Sequence, residues 1–220
     1  MRHSSIFTKF TIKKTIMKKT LIIAMLLTAV CIGSSCQDKS TDKQLVKDLI
    51  GTWQGSIYLD DEEIPTDYQF FESTDGTTGN FIEIAYLHEI DGDFDIRYFA
   101  YASGEYSVKD GRLALTYFPE TTYADPYDED ALGEYVTALW EYYQEEGRQL
   151  LWEDEEALSV AVLETLEDNW SQVCEDRNNT KLDFSNLTVT ENKMSFVDGD
   201  RTLEFTRADH DWFTAYPFSE

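Results

Sequence analysis

From residue 52 to residue 118, apolar and polar positions alternate with a period of two, as in half-buried β-strands. The strands predicted in this half are 52–59, 66–72, 80–89, 93–102, 105–108 and 112–118. Turn residues separate them, and Lys109-Asp110-Gly111 between two apolar runs indicates a tight hairpin. Because the connections are short, the pattern predicts antiparallel neighbours rather than strands alternating with helices.

Between residues 119 and 178 the apolar period changes to that of an α-helix. Asp125-Pro126 predicts a turn, and Asp128 is a candidate cap for the helix that follows. The first predicted helix has an apolar face of Leu132, Tyr135, Val136, Leu139, Trp140 and Tyr143. The second has one of Leu158, Ala161, Val162, Thr165, Leu166, Trp170 and Val173. Each helix has one face to bury, so we expect a helical hairpin at about 128–174 that packs on the sheet.

The strand pattern then returns at 181–190, 193–197 and 202–206, with turns at Asn192 and at Asp198-Gly199-Asp200. The total is eight or nine antiparallel strands, so the fold class is mostly β with an inserted α-helical hairpin. A sheet of this size usually closes into a barrel or folds into a sandwich, because both arrangements dispose of exposed edges.

The first 36 residues show a different pattern. Met17-Lys18-Lys19 begins a basic region, an apolar run covers 21–32, and Gly33-Ser34-Ser35 precedes Cys36. The apolar run is shorter than the roughly 20 residues of a membrane-spanning helix, so it indicates a secretory signal. Met17 is an alternative start of translation. Residues 37–44 are short and polar, which predicts a flexible tether before a domain at 45–210 and a tail at 211–220.

The small residues before Cys36 resemble the end of a bacterial lipoprotein signal peptide. That resemblance implies cleavage before Cys36 and acylation of Cys36, including palmitate. It also implies an outer-membrane lipoprotein that faces either the periplasm or the cell surface. The alternative is ordinary secretion, with Cys36 an incidental thiol.

Removing the signal makes the chain strongly acidic. Residues 1–36 contain six basic and no acidic residues, which leaves 12 basic and 43 acidic residues and a net charge of −31. This charge excludes nucleic acid as a partner, because phosphates require a basic face. It also disfavours contact of the protein surface with anionic lipid, so any membrane attachment would depend on the acyl anchor. All five Trp and all thirteen Tyr follow Cys36, enough for a substantial core.

Three stretches of the domain resemble lipocalin-like (calycin-type) proteins. They are Gly51-Thr52-Trp53 at the first strand, residues 104–117, and Leu203-Glu204-Phe205-Thr206-Arg207. The resemblance implies an antiparallel lipocalin-like barrel that carries the helical hairpin as an insertion. It further implies that a late arginine packs over Trp53 and closes one end of the barrel. Arg207 is the matching candidate and Arg201 the second.

The sequence contains little that predicts catalysis. His88 and His210 are the histidines after the signal, and Cys174 lies in an apolar helical pattern that favours an inert, buried thiol. The nucleophile elbow, the Walker loop and the His-Glu-x-x-His motif are all missing. Residues 91–95 and 198–200 are acidic, and their Asp and Gly residues favour solvated turns, with calcium binding as the alternative. We therefore expect no catalysis, metal ion or cofactor, with a hydrolase as the remote alternative.

Aromatic residues are the best candidates for ligand binding. In a small barrel such side chains either fill the interior or line a cavity. The candidates are Tyr86, Tyr98, Phe99, Tyr101, Tyr117 and Trp140. A cavity would make the protein a carrier of a small apolar or amphipathic ligand, which is the leading expectation. A barrel filled by side chains would favour an adaptor or inhibitor that binds another protein.

Overall fold

The computed structural model describes residues 39–72, 75–145 and 152–211. Contacts divide the chain into residues 1–37 and 38–220, and every described residue belongs to the second unit. The predicted signal, the acylated Cys36 and residues 212–220 of the predicted tail lie outside the described residues. None of the described helices has the length and apolar character needed to cross a bilayer.

Eight antiparallel strands form one closed, barrel-like ring, in which each strand pairs with its neighbours in sequence and β8 pairs with β1. The strands are β1 (Gly51–Leu59), β2 (Glu62–Phe70), β3 (Thr78–Asp91), β4 (Phe94–Lys109), β5 (Arg112–Pro126), β6 (Asp183–Val189), β7 (Lys193–Asp198) and β8 (Arg201–Ala208). The prediction of a mostly β, antiparallel fold is confirmed. The segments predicted at 93–102 and 105–108 form one strand, β4, and β5 runs eight residues past its predicted end.

The tight turns follow from residues that tolerate a positive φ. Lys109 pairs with Arg112 across the predicted hairpin, and Asp110 and Gly111 between them have φ values of 52° and 69°. Both angles fit the two-residue turn whose twist matches the strands. The hairpin prediction at this position is confirmed.

Within the described ranges, three helices accompany the strand ring: α1 (Lys39–Leu49), α2 (Glu129–Glu145) and α3 (Glu155–Thr180). Asp128 caps α2, since its carboxylate accepts hydrogen bonds of 3.1 Å from the backbone N–H groups of Asp130 and Ala131. Asp154 caps α3 in the same way. α3 extends six residues past 174, where the insertion was predicted to end.

α1 corrects the predicted tether at 37–44, because the helix begins at Lys39. Val46 and Leu49 are buried in the core, which gives α1 an apolar face. The Asp42 carboxylate accepts hydrogen bonds from the backbone N–H groups of Asp110 (2.9 Å) and Gly111 (3.1 Å). A polar residue that looks like part of a linker therefore holds α1 against the β4–β5 turn.

The main core fills the inside of the strand ring with aromatic side chains. Close ring pairs line it from several strands, including Phe70 with Tyr106 at 5.3 Å and Phe196 with Phe205 at 5.4 Å between centroids. Strand pairing in the ring is shortest between β5 and β6, which pair at only two positions, 113–184 and 114–183. The helical insertion leaves β5 and returns at β6, and α3 packs against β5 beyond this short pairing.

Candidate functional site

Two arginines stand where the strand ring closes. We call the pairing of residues 52–55 with 205–208 the β1–β8 closure. Trp53 lies directly opposite Arg207 there, and the guanidinium carbon lies 4.1 Å from the indole ring centroid. The guanidinium donates to the backbone carbonyls of Asp48, Ile50 and Glu191, and the Trp53 indole N–H donates to Leu49. The candidate arginine thus packs over Trp53 in a cation–π arrangement.

The second arginine belongs to what we call the α3 closure, where α3 lies along β5. The Asn178 side chain accepts from the backbone N–H of Tyr117 and donates to its carbonyl, both at 2.8 Å. Ser171 donates to the carbonyl of Pro119 at 3.0 Å. These bonds give backbone groups of β5 the partners that a neighbouring strand would provide. Leu166, Trp170 and Cys174 of α3 join the main core.

Arg177 completes this closure from the last turns of α3. Its guanidinium donates to both carboxylate oxygens of Glu83, at 2.8 and 3.0 Å, and to the Tyr68 hydroxyl at 3.3 Å. The Tyr117 hydroxyl donates to the same carboxylate, and the Tyr117 ring lies 4.5 Å from the guanidinium carbon. The Glu83 side chain has no solvent exposure and that of Arg177 is 11% exposed. These four residues form a charged cluster that is nearly closed to solvent.

The electrostatics of the cluster keep Arg177 charged and both tyrosines neutral. Burial alone would lower the pKa of Arg177, but the charge of Glu83 and the nearby tyrosines raise this pKa well above its ordinary value. Burial raises the pKa of Tyr68 and of Tyr117, and the Glu83 charge raises both further. The groups satisfy one another's hydrogen bonds. The arrangement suits fastening α3 better than catalysis.

The six candidate aromatic residues divide among three places. Tyr98 and Tyr117 belong to the main core inside the strand ring. Phe99 and Tyr101 belong to a separate cluster with Ile82 and Ile84 on the outer face of the ring, and Tyr86 packs against it. Trp140 lies on α2 and is half-buried. The structure therefore does not bring all six to one cavity.

The outer cluster continues toward β5 as a row of rings. The Phe99 ring lies 5.3 Å from that of Tyr127, and the Tyr101 ring lies 6.0 Å from that of Tyr123, between centroids. Tyr123 and Tyr127 are 50% and 62% exposed. Nearby carboxylates make this edge acidic: the charges of Asp125 and Glu167 help burial to raise the pKa of Tyr123.

The groups considered for catalysis lie in different parts of the molecule. Cys174 is buried in the core, as predicted, and burial raises the pKa of its thiol to about 12. His88 lies near Asp95 and Glu62 at the β3–β4 hairpin, at 3.3 and 3.6 Å. His210 lies 3.1 Å from the Asp67 carboxylate on the outer face. We therefore find no nucleophile placed beside a base within the described ranges.

One open surface groove could admit a small group. It has a volume of about 300 Å³, lies on β1, β2 and β8, and is lined by residues such as Tyr58, Glu63 and Glu204. Across residues 39–72, 75–145 and 152–211, no group of three or more His, Cys, Asp or Glu side chains is placed to hold a metal ion. In the acidic turn at 91–95, the Asp95 carboxylate accepts hydrogen bonds from the Arg97 guanidinium.

Sequence reasoning missed Glu83 and Arg177, although each interrupts an apolar pattern. Glu83 occupies an inward position between Phe81 and Ala85 on β3, where a polar residue requires a buried partner. Arg177 follows Trp170 and Cys174 at helical spacing, on the stripe that faces the core. Noticing one acid and one base on two buried faces would have suggested the pair.

The functional interpretation of this site rests on its geometry alone. No protein-family model matches the chain, and no curated protein sequence matches it.

Proposed function

We propose that the chain is a lipid-anchored protein with a lipocalin-like barrel that binds another protein on its outer surface and catalyses no reaction. The observation that carries this proposal is the filling of the strand ring. Aromatic and aliphatic side chains from all eight strands, together with Leu166, Trp170 and Cys174 of α3, make one continuous buried cluster. A carrier of small molecules needs an internal cavity of hundreds of Å³, and this cluster occupies the place of one.

The charged cluster supports the same conclusion. Arg177 ties α3 to Glu83 on β3, which holds α3 beside the short pairing of β5 with β6. Displacing α3 would leave a buried carboxylate without its cation, which costs several kcal/mol, about 3–5. A ligand would have to supply at least that much free energy in order to enter by this route.

The exposed edge beside β5 is the surface we assign to the partner. Tyr123 and Tyr127 expose half or more of their area, and tyrosines are enriched where proteins bind one another. The carboxylates of Asp125 and Glu167 lie close to Tyr123, and the chain after the signal is strongly acidic. Complementarity of charge therefore favours a basic partner surface.

The anchor rests on the sequence pattern that ends at Cys36. We propose cleavage before Cys36, acylation of its thiol and amine, and attachment to the bacterial outer membrane on either its periplasmic or its outer side. The test is the mass of the purified full-length product in its source cell. The expected product begins at an acylated Cys36, and Cys36→Ser should abolish both acylation and membrane fractionation. A soluble product that begins elsewhere would contradict the anchor.

Native mass spectrometry tests the main proposal directly. The chain from Gln37 to Glu220 is expressed in the source cell's periplasm and purified gently. We expect the mass of the empty polypeptide. A stoichiometric small molecule would instead contradict this proposal and establish the carrier function.

Site-specific photo-crosslinking in cells tests the partner surface. Benzoylphenylalanine replaces Tyr127, and in a matched control it replaces Tyr58, which is also exposed but lies on β1. We expect one discrete protein adduct from position 127 and none from position 58. Equal labelling at both positions, or at neither, would contradict the assignment of this edge.

A further inference from the structure

Tyr123, Asp125 and Tyr127 form a row on the outer face of the strand ring, which we call the β5 row. At the end of β5 these positions alternate with Ala124, which belongs to the main core. Successive residues on one face of a strand are about 7 Å apart, so Asp125 lies between the two tyrosines. Strand register places Asp125 opposite Phe99, and the Tyr127 ring packs against the Phe99 ring.

The Asp125 carboxylate has no cation beside it. Within the part of the chain that the structure describes, it forms no ion pair and accepts no hydrogen bond. Burial raises the pKa of Asp125, and the negative charge of Glu129 raises this pKa further. Glu167 brings another carboxylate close to Tyr123. The β5 row therefore carries negative charge that its described neighbours do not neutralise.

An arginine on the neighbouring strand is engaged elsewhere. The Tyr127 backbone N–H donates to the Arg97 carbonyl at 2.8 Å, which places Arg97 beside the row. The Arg97 guanidinium donates to the Asp95 carboxylate at 2.8 and 3.0 Å. Along β4, Asp95 lies on the opposite side of Arg97 from Phe99, so this guanidinium is turned away from Asp125.

The same fold combines a tyrosine ring and a carboxylate with an arginine in two other places. The Arg201 guanidinium carbon lies 4.4 Å from the Tyr58 ring centroid, and Arg201 pairs with Asp61. In the α3 closure, Arg177 packs on a tyrosine ring and donates to Glu83. A guanidinium can do both at once, because it is planar, stacks on rings and presents a fork of N–H donors to a carboxylate. An ammonium group lacks this fork and is more strongly hydrated.

We propose that the β5 row binds an arginine side chain of the partner protein, with the guanidinium paired to Asp125 and stacked on Tyr127. This inference rests on the partner surface proposed above and adds the residue type that the surface recognises. Tyr127 is the ring we assign, because it is 62% exposed and so the more open of the two tyrosines. Arginine is enriched among the residues that dominate the binding energy of protein interfaces.

Short peptides test the choice of arginine. The chain from Gln37 to Glu220, labelled with fluorotyrosine, is titrated with an acetylated glycine peptide that carries one central arginine. Fluorine NMR follows the signals of Tyr123 and Tyr127. Matched peptides carry lysine, or citrulline, which keeps the planar shape and loses the charge. We expect saturable binding of the arginine peptide, binding of the lysine peptide weaker by about threefold or more, and no saturable binding of the citrulline peptide. Equal binding of the lysine peptide, or no binding of the arginine peptide, would overturn the proposal.

Substitutions in the row locate the contact. Asp125→Asn should weaken binding of the arginine peptide about fivefold, the change expected for an ion pair near the surface. Tyr127→Leu should weaken it about threefold and Tyr127→Phe should not, because the ring face and not the hydroxyl receives the guanidinium. Glu105→Gln is the control, since Glu105 is an exposed outward carboxylate on β4 away from the row. Equal losses from Asp125→Asn and Glu105→Gln would attribute the binding to overall negative charge and overturn the proposal.

The crosslink at position 127 in cells separates this inference from the proposed function. We expect Asp125→Asn to lower the yield of the partner adduct severalfold and Glu105→Gln to leave the yield unchanged. If Asp125→Asn does not change the yield, the partner binds this edge without an arginine on Asp125, and the inference alone is wrong. An absence of any adduct from position 127 would overturn the proposed function, and this inference with it.

Discussion

The two closures of the strand ring each use an arginine on an aromatic ring, yet they satisfy the charge differently. Arg207 in the β1–β8 closure donates to backbone carbonyls at the end of the ring, in a partly exposed position. Arg177 in the α3 closure donates to a fully buried carboxylate, Glu83. Both guanidinium carbons lie within 4.5 Å of a ring centroid.

The difference follows from what each arginine has to join. At the β1–β8 closure two strands already pair over four residues, and Arg207 adds bonds to a joint that the backbone makes itself. At the α3 closure, strand pairing stops after two residues, so side chains of α3 must replace the missing strand. Neutral carbonyls can find water if their arginine is lost, whereas a buried carboxylate cannot.

The largest expected effect is therefore at the α3 closure. Arg177→Met should lower the free energy of unfolding by about 3–5 kcal/mol, because it leaves Glu83 buried without its cation. Urea denaturation followed by tryptophan fluorescence measures the change.

The matched control replaces both members of the pair, Arg177→Met with Glu83→Leu. Apolar side chains of similar volume avoid the desolvation penalty, so the double variant should be more stable than Arg177→Met alone. If the two substitutions simply add, the pair is not coupled and the account of this closure fails.

A smaller effect is expected at the β1–β8 closure. Arg207→Ala removes one cation–π contact and hydrogen bonds to three carbonyls, of which water can replace some. We expect a loss of about 2 kcal/mol, also from urea denaturation. Arg207→Lys should recover part of the loss, since it keeps the charge over Trp53. A loss as large as that of Arg177→Met would remove the distinction between the closures.

Asp42 tests whether α1 belongs to the same end of the molecule as the β1–β8 closure. α1 supplies the carbonyl of Asp48 to Arg207 and that of Leu49 to Trp53, and Asp42 ties α1 to the β4–β5 turn. Asp42→Ala should cost about 1 kcal/mol for the lost hydrogen bonds. Gln44→Ala, at a position whose bond to Asp48 stays within the helix, is the control and should cost less. Equal losses of stability from the two substitutions would mean that the hydrogen bonds from Asp42 to the β4–β5 turn stabilise the fold no more than a hydrogen bond within α1 does.

The sequence predicts the β1–β8 closure far better than the α3 closure, for a physical reason. Trp53 and Arg207 lie on strands whose alternation is clear, and the resemblance to lipocalin-like proteins points to both. Glu83 and Arg177 lie 94 residues apart on different kinds of element, and hydrophobic period carries no information about which buried acid meets which buried base. The first turns of α1, in the predicted tether at 37–44, were missed for a similar reason, because Asp42 binds a turn far along the chain.

Cys174 offers a probe of opening at the α3 closure, and near neutral pH its expected energetic effect is the smallest. The thiol is the single cysteine of the chain from Gln37, and burial raises its pKa to about 12. At pH 8 it should react with dithionitrobenzoate only when α3 opens locally. Arg177→Met should accelerate this reaction more than Arg207→Ala does, when both are compared in urea at matched global stability.

The pH dependence has a definite sign: the unfolded thiol ionises near pH 8.5 and the folded thiol near 12, so stability should fall as pH rises between them. Cys174→Ala should flatten that part of the stability profile. If both arginine variants accelerate labelling equally, the thiol reports global unfolding, and α3 opens only together with the rest of the strand ring.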